Sequence, residues 1–138
     1  MIDNSNIVLD KFQKALMNCG NKANSLVILR ELILKISVKK DNPLEVLTLS
    51  VNNVKPMFTV STQKKGKRVL QVPKPILSED ERIAVAANWI VKNSYKHSKG
   101  SFVNNFLQEV YDSFNNQGFS KKQQQELNKL VVINRSAL

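Results

Sequence analysis

The sequence predicts a mainly α protein, a six-helix bundle with a two-stranded β-hairpin that protrudes between the third and fourth helices. Six segments carry apolar residues at helical spacing, one segment between them alternates apolar and polar residues, and turn-forming residues separate the segments. The chain has 138 residues, of which 42% are apolar, and this is enough for one hydrophobic core. Because we find no internal repeat and no long linker, we expect a single domain over residues 1–138.

The first two helices are predicted from their apolar stripes. Over residues 8–16, Val8 and Phe12 fall on one side of a helical period, and Gly20 marks the end of this helix. A second helix is expected over about residues 24–37. Since its apolar residues cover more than one side, we expect it to be the central helix of the bundle.

The third helix and the hairpin follow. Asn42 offers a capping side chain and Pro43 suits the first helical turn, so the third helix begins there and ends at Pro56. Over about residues 57–73 the period changes to two, which is typical of strands, and Gly66 lies at the expected turn. An isolated two-stranded ribbon is only marginally stable in water, so we expect its base to lean on the helices.

The fourth helix begins with the pattern of a capping box, in which the Ser78 side chain caps the first turn and Glu81 reaches back. The helix extends to about His97. Glu79 and Asp80 also lie in its first turn, where the helix dipole favours acidic residues. Capping therefore accounts for this acidic cluster better than catalysis does.

The last two helices also carry start signals. Ser101 opens the fifth helix, and Gly118 is expected to end it. A second capping-box pattern, Ser120 with Gln123, opens the sixth helix. We expect this helix to extend to about Asn134.

The charge of the chain is strongly positive and unevenly distributed. Lys and Arg number 21 and Asp and Glu number 11, which gives a formal net charge of +10. Half of this excess lies in residues 58–78, which contain no acid. An imbalance this large in a small domain favours a polyanionic partner, with nucleic acid the first candidate and an anionic membrane surface the second.

Four bases crowd the expected tip of the hairpin, namely Lys64, Lys65, Lys67 and Arg68. Exposed lysines also protect edge strands from pairing with other proteins, and this interpretation stays open. A cluster without any acid nevertheless favours phosphate binding, because each neutralised phosphate releases counterions.

Further candidate contacts to nucleic acid lie on the helices. Lys121 and Lys122 are expected in the first turn of the sixth helix, where the dipole disfavours positive charge and a bound phosphate would relieve the mismatch. The full set of predicted contact residues is Lys11, Lys14, Lys22, Lys64, Lys65, Lys67, Arg68, Lys74, Lys92, Lys96, Lys99, Lys121, Lys122 and Arg135.

The sequence lacks the residue patterns of an enzyme or a metalloprotein. The single cysteine, Cys19, excludes an internal disulfide framework, and the single histidine, His97, has no carboxylate near it in the sequence. We find no phosphate-binding glycine loop and no nucleophile elbow. We therefore expect no catalytic residues, no metal and no cofactor. Charged residues interrupt the most apolar stretch, residues 26–36, so we expect no membrane span.

Two alternatives concern nucleic-acid binding itself. Trp89, the only tryptophan, would serve as a stacking platform for a base, although such a residue more often packs where helices cross. The main functional alternative is a DNA-binding regulator with a helix-turn-helix motif. Such a protein needs basic and amide side chains along a recognition helix, whereas here the charge is densest on the hairpin.

Several short segments appear in a characteristic order along nearly the whole chain. They are Gly20-Asn21-Lys22, Pro43-Leu44-Glu45-Val46-Leu47, Val51-Asn52-Asn53-Val54-Lys55-Pro56, Gln71-Val72-Pro73, Asn88-Trp89-Ile90-Val91 and Asn134-Arg135. In this order and spacing the chain resembles the family of small-subunit ribosomal protein seven. The resemblance implies a single RNA-binding domain, a helical bundle with a protruding β-ribbon, that binds ribosomal RNA in the head of the subunit (the 3′ major domain) and helps to assemble it.

The same resemblance implies further partners. The ribbon would lie near the exit-site transfer RNA and the messenger path, and the bundle would contact neighbouring proteins of the head and platform, with no membrane partner. The chain departs from the family pattern at Gly66-Lys67, where two glycines are common, and at Glu79 and Asp80, where a basic pair is expected. We also expect the family's basic amino-terminal arm and carboxyl-terminal tail to be absent.

The ratio of Lys to Arg bears on the origin of the protein. Lys outnumbers Arg by 17 to 4, and there are 16 Asn residues. AT-rich genomes favour the codons of Lys and Asn. We therefore expect an organelle-encoded protein of the mitochondrial ribosome, in the matrix, with a plastid or the bacterial cytoplasm as alternatives.

Overall fold

Six helices and one antiparallel hairpin make up the structure, a computed structural model that describes residues 2–17, 22–98 and 100–134. In chain order the elements are α1 (Ile2–Leu16), α2 (Lys22–Val38), α3 (Pro43–Val54), β1 (Phe58–Lys65), β2 (Arg68–Pro75), α4 (Glu79–Ser94), α5 (Phe102–Phe114) and α6 (Gly118–Asn134). The predicted fold class and the position of the hairpin between α3 and α4 are confirmed. Among the described helices, none has the length and apolar character needed to cross a membrane.

The prediction that α2 is the central helix is wrong, because α3 packs against every other helix, whereas α2 in the described structure packs against α1, α3 and α5 alone. The α5 helix packs against α2, α3, α4 and α6, and the ring of its buried Phe106 lies 5.7 Å from that of Phe12 on α1. The α2 helix buries Leu32 but leaves Leu34 and Val38 57% and 81% exposed. Apolar residues occur on several sides of α2 because its solvent-exposed face is also apolar, and not because the helix is buried on every side.

Two predicted helix starts are confirmed by their caps. Asn42 accepts a hydrogen bond from the backbone N–H of Leu44 at 3.2 Å, and Pro43 fills the first helical position. Ser101 caps α5 in the same way. Three predicted ends lie too far along the chain, and one of them is that of α5, which ends at Phe114, four residues before the expected terminator Gly118. The α4 helix ends three residues before His97, and α1 ends at Leu16, while the expected terminator Gly20 lies outside the described residues.

The capping box predicted at the start of α4 does not form. Ser78 occupies the cap position, but its side chain makes no capping hydrogen bond. Instead, the Glu79 carboxylate pairs with Arg82 within α4 and with Lys55, which follows α3. The sequence pattern identified where the helix begins but not which side chain stabilises its first turn.

The second predicted capping box, Ser120 with Gln123, is also wrong. The α6 helix begins two residues earlier, at Gly118, so that Ser120 lies inside the first turn and is fully buried. Gly118 has a φ of +91°, and a Cβ atom there would come within 2.8 Å of the Asp112 Cβ. Gly118 thus begins α6 where the chain passes too close to α5 for any side chain.

The hairpin pairs in register from Phe58 with Pro75 at the base to Lys65 with Arg68 at the tip. A two-residue turn joins the strands, and Gly66 takes a φ of +63° there, which favours glycine. The second strand extends two residues beyond the predicted end, to Pro75. Prolines are tolerated there because both strands of a two-stranded sheet are edge strands. Both strands pack against α6, so the expectation that the hairpin leans on the helices is confirmed.

Candidate nucleic-acid interface

An open cleft of about 490 Å³ lies between α4, the turn that follows it, and α6. Its walls combine two aromatic rings with three lysines. The residues that line it are Trp89, Lys92, Asn93, Lys96, Phe119, Lys122, Gln123 and Glu126. On each wall these residues recur at intervals of three or four, so that they share one helical face. The structure thus brings together three of the predicted contact lysines.

The floor of the cleft is fixed by a buried amide. The side-chain nitrogen of Asn93 donates to Ser120 Oγ at 3.0 Å and to Gln123 Oε1 at 3.1 Å. These bonds explain why Ser120 and Gln123 do not cap α6, since both are used to join α6 to α4. The cleft therefore has a rigid base, above which the lysines lie at the surface.

The start of α6 is held by Glu109, a fully buried carboxylate on α5. Glu109 Oε1 accepts the backbone N–H of Ser120 at 3.0 Å, and His97 Nε2 lies 2.6 Å from Glu109 Oε2. A carboxylate at a helix amino terminus is favoured by the helix dipole and by the unpaired N–H groups there. The fold thus gives His97 a carboxylate partner that is twelve residues away in the sequence.

One group of side chains in the described structure has donor atoms suited to a metal ion. His97, Glu109 and Asp112 each place one donor atom within 4.8 Å of the others. Both Glu109 oxygens already accept protein hydrogen bonds, and Asp112 accepts one from Gln108 at 2.9 Å. The two Glu109 oxygens join α5 to α6 and to the turn after α4, while the bond between Gln108 and Asp112 lies within α5.

Lys121 has a different environment from its neighbour Lys122. Its ammonium donates to the backbone oxygen of Asn53 at 2.9 Å and to Gln124 Oε1 at 2.8 Å. Asn53 lies in the last turn of α3, where the helix dipole favours positive charge. Acceptors within the protein therefore compensate for the positive charge of Lys121 in the first turn of α6, and no bound phosphate is needed for this. Lys122, in contrast, is exposed in the cleft.

The base of the hairpin is fixed to α4 by a small charged cluster. Arg82 donates through Nε to the Pro56 oxygen at 3.0 Å and through a terminal nitrogen to Glu79 at 2.9 Å, and Lys55 binds the same carboxylate. The Ile76 N–H donates to the Met57 oxygen at 3.0 Å. The hydrogen bond from Lys55 is the main cause that lowers the pKa of the Glu79 carboxyl below its ordinary value.

This cluster makes a testable contribution to stability at different pH values. Because the Glu79 pKa is lowered in the folded protein, its contribution is present above the unfolded pKa, near 4.5, and is lost as the pH falls through the folded pKa. The pair is partly exposed, so we expect Glu79→Gln to cost less than about 1 kcal/mol at pH 7. Urea unfolding of both proteins at pH 7 and at pH values below 4.5 measures the difference in stability, which should shrink as the pH falls. A difference that stays constant or grows as the pH falls would contradict this account.

The hairpin lysines with described side chains are all exposed. Lys64 and Lys67 lie at the tip, and Lys74 lies near the base. Lys65 and Arg68 form the last ladder pair before the turn. The α6 helix packs against both strands of the hairpin and also against α4, so it connects the hairpin to the cleft.

Three of the remaining predicted contact residues, Lys11, Lys14 and Lys22, lie on helices that do not pack against α6 or the hairpin in the described structure. The α1 helix carries Lys11 and Lys14 and packs against α2, α3 and α4 but not against α6 or the hairpin. Lys14 pairs with Asp10 at 3.2 Å, and Lys22 is exposed at the start of α2. Two more residues, Lys99 and Arg135, lie outside the described residues.

Comparisons with known proteins agree with the resemblance noted in the sequence. The family described as ribosomal protein S7p/S5e matches residues 2–135. The small ribosomal subunit protein uS7 of Petrotoga mobilis is 29% identical over 131 residues, which cover 94% of this chain and 84% of that protein. The uS7 protein of Syntrophus aciditrophicus is 30% identical over 132 residues, or 95% and 84% of the two chains, and that of Rickettsia bellii is 29% identical over 135 residues, or 96% and 81%. The chain therefore belongs to the ribosomal protein S7p/S5e family and is a structural, non-enzymatic protein of the small ribosomal subunit.

Proposed function

We propose that this protein binds ribosomal RNA in the head of the small subunit and helps to assemble it. The observation that supports this most is the cleft between α4 and α6, where three lysines face one acid, Glu126. Three exposed lysines, Lys92, Lys96 and Lys122, can contact phosphates in a site whose floor is fixed by the Asn93 amide. Phosphate contacts supply most of the affinity of such interfaces.

The hairpin supports a second part of the proposal. Its exposed lysines, Lys64, Lys67 and Lys74, add positive charge outside the helical bundle, and β1 and β2 contain no acidic residue. We propose that the hairpin contacts exit-site transfer RNA and messenger RNA, while the bundle contacts ribosomal RNA and neighbouring head and platform proteins. The base of the hairpin, which Arg82 joins to α4, and the exposed Lys64 and Lys67 at its tip fit this division of roles.

The helix-turn-helix alternative has less support. The α6 helix carries lysines and amides, as a recognition helix would, but Lys121 and Gln124 bind the end of α3. The hairpin also packs against α6, which leaves less of the helix free to enter a major groove.

For the compartment, we propose the mitochondrial matrix, where the protein would act in the mitochondrial ribosome. The support is the codon bias implied by 17 Lys against 4 Arg and by 16 Asn. The relatives named above are bacterial, so a plastid and the bacterial cytoplasm are the competing sites. Immunogold labelling of the source cells distinguishes these locations, and label over the bacterial or plastid ribosomes would overturn the mitochondrial assignment.

The proposed RNA binding should depend strongly on salt. With about six phosphate contacts, the affinity should fall on the order of a thousandfold between 50 and 200 mM salt, because bound counterions are released from the RNA. Fluorescence anisotropy with a labelled fragment of the 3′ major domain of small-subunit ribosomal RNA measures this slope. A nearly flat response would contradict binding through phosphates.

A further inference from the structure

We propose that the cleft between α4 and α6 holds one unpaired nucleotide of a single-stranded RNA segment. The base stacks on Trp89, and the adjoining phosphates contact Lys92, Lys96 and Lys122. This inference rests on the proposed RNA binding and deepens it, since it specifies which form of RNA this part of the surface accepts.

The position of Trp89 supports stacking. The ring is partly buried against the hydrophobic core and also lines the cleft. A ring anchored on one side loses little conformational freedom when a base covers the other side. Stacking on an aromatic side chain suits any base, because every base has a π face.

The opposite end of the cleft is already occupied. Asn93 contacts Ser120 and Gln123 of α6. Further along the chain, the Lys96 ammonium lies 5.4 Å from the centre of the Phe119 ring, at the start of α6. The two walls of the cleft therefore run in opposite directions. The ring of His97 also contacts Phe119, with 5.1 Å between centroids. Phe119 therefore holds Lys96 in place, and Trp89 is left as the platform for a base.

The three lysines of the cleft lie where they can contact the phosphate backbone of an RNA strand whose base stacks on Trp89. Lys92 is one turn from Trp89 on α4, Lys96 lies one turn further, and Lys122 faces them from α6. A base stacked on Trp89 would thus have positive charge along the path of its phosphates. A cleft of about 490 Å³ lies within the usual size range of ligand sites.

An unpaired nucleotide fits this site better than a duplex. In an A-form helix the bases are stacked on one another, and proteins contact mainly the phosphates and 2′-hydroxyls. A duplex could therefore reach the lysines but could not present a base to Trp89. The cleft should distinguish the two forms of RNA.

The intrinsic fluorescence of the protein tests this inference directly, because Trp89 is its only tryptophan. The full chain is titrated with an unstructured ten-nucleotide RNA, with a blunt duplex of the same sequence, and with a nucleoside monophosphate. We expect saturable quenching by the single strand alone. Equal quenching by the duplex, or equally tight binding of the monophosphate, would overturn the inference.

Two charge-matched variants test the lysines. The first variant replaces Lys92, Lys96 and Lys122 by Gln. We expect it to bind the single strand at least tenfold more weakly, while its helical signal in circular dichroism is unchanged. The control replaces Lys39, Lys40 and Lys129, which lie outside the cleft, by Gln and should change binding less than threefold. Equal losses in both variants would mean that overall charge, and not the cleft, binds the strand.

Failure of this inference is distinguishable from failure of the proposed function. If the 3′ major-domain fragment binds with the expected salt dependence while the single strand leaves Trp89 fluorescence unchanged, the cleft does not hold an unpaired nucleotide, although the protein binds ribosomal RNA. If neither the fragment nor the short RNAs bind, both proposals are wrong.

Discussion

Replacement of Glu109 by alanine is expected to lower the free energy of unfolding by about 1–3 kcal/mol, the usual cost of leaving a buried hydrogen-bonding group without its partner. The loss would leave the Ser120 N–H and the His97 ring without their acceptor inside the protein. It would also release the start of α6, which carries one wall of the cleft. Since small domains are stable by only about 5–15 kcal/mol, this single change should remove a large part of the total.

Urea unfolding followed by circular dichroism measures the effect of the Glu109 change. Glu109→Gln should cost less than Glu109→Ala, because the amide oxygen can still accept from Ser120. The control is Glu126→Ala, which removes an exposed acid and should change stability by less than about 0.5 kcal/mol. If Glu109→Ala costs less than about 1 kcal/mol, the buried carboxylate does not hold α6 in place.

Replacement of Lys64, Lys65, Lys67 and Arg68 by Ser is expected to weaken the hold of the small subunit on exit-site transfer RNA or messenger RNA. We expect folding to be nearly unchanged, because Lys64 and Lys67 are exposed and substitutions at exposed positions usually alter stability by less than about 0.5 kcal/mol. Assembly into the subunit should also survive, since we propose that the bundle makes the main contacts with ribosomal RNA. Filter binding of transfer RNA to subunits that carry the variant measures its occupancy, and a reporter measures reading-frame fidelity.

The control for this variant keeps the charge of the tip. Replacement of Lys64, Lys65 and Lys67 by Arg, with Arg68 retained, should leave both readouts close to those of the original protein. If the Ser variant fails to enter the subunit while any assembled particles hold transfer RNA normally, the hairpin serves assembly instead, and the proposed division of roles is wrong.

Most of the fold was predictable because helix signals are local. The caps at Asn42 and Ser101 and the turn at Gly66 lie within a few residues of the structure that they specify. The failure at α2 has a physical reason. An apolar outer face and burial on all sides leave the same pattern in a sequence, and only packing distinguishes them.

The candidate site was less predictable because its geometry depends on contacts between distant residues. The lysines of the cleft were identified by charge, but the bond between Asn93 and Ser120 spans 27 residues and that between Lys121 and Asn53 spans 68. The sequence did contain one indication that Glu109 has a partner inside the protein. Glu109 lies between Phe106 and Val110 on the inner side of α5, where burying an acid without a partner is costly.

The most direct test of the central claim, that this protein is a ribosomal-RNA-binding constituent of the small-subunit head, is co-sedimentation with cross-linking. The tagged protein is expressed in its source cells, ribosomal subunits are separated on a sucrose gradient, and RNA cross-linked to the protein is sequenced. We expect the protein in the small-subunit fractions, with cross-links in the 3′ major domain of the ribosomal RNA. Protein that stays at the top of the gradient, or that cross-links mainly to DNA, would contradict the account.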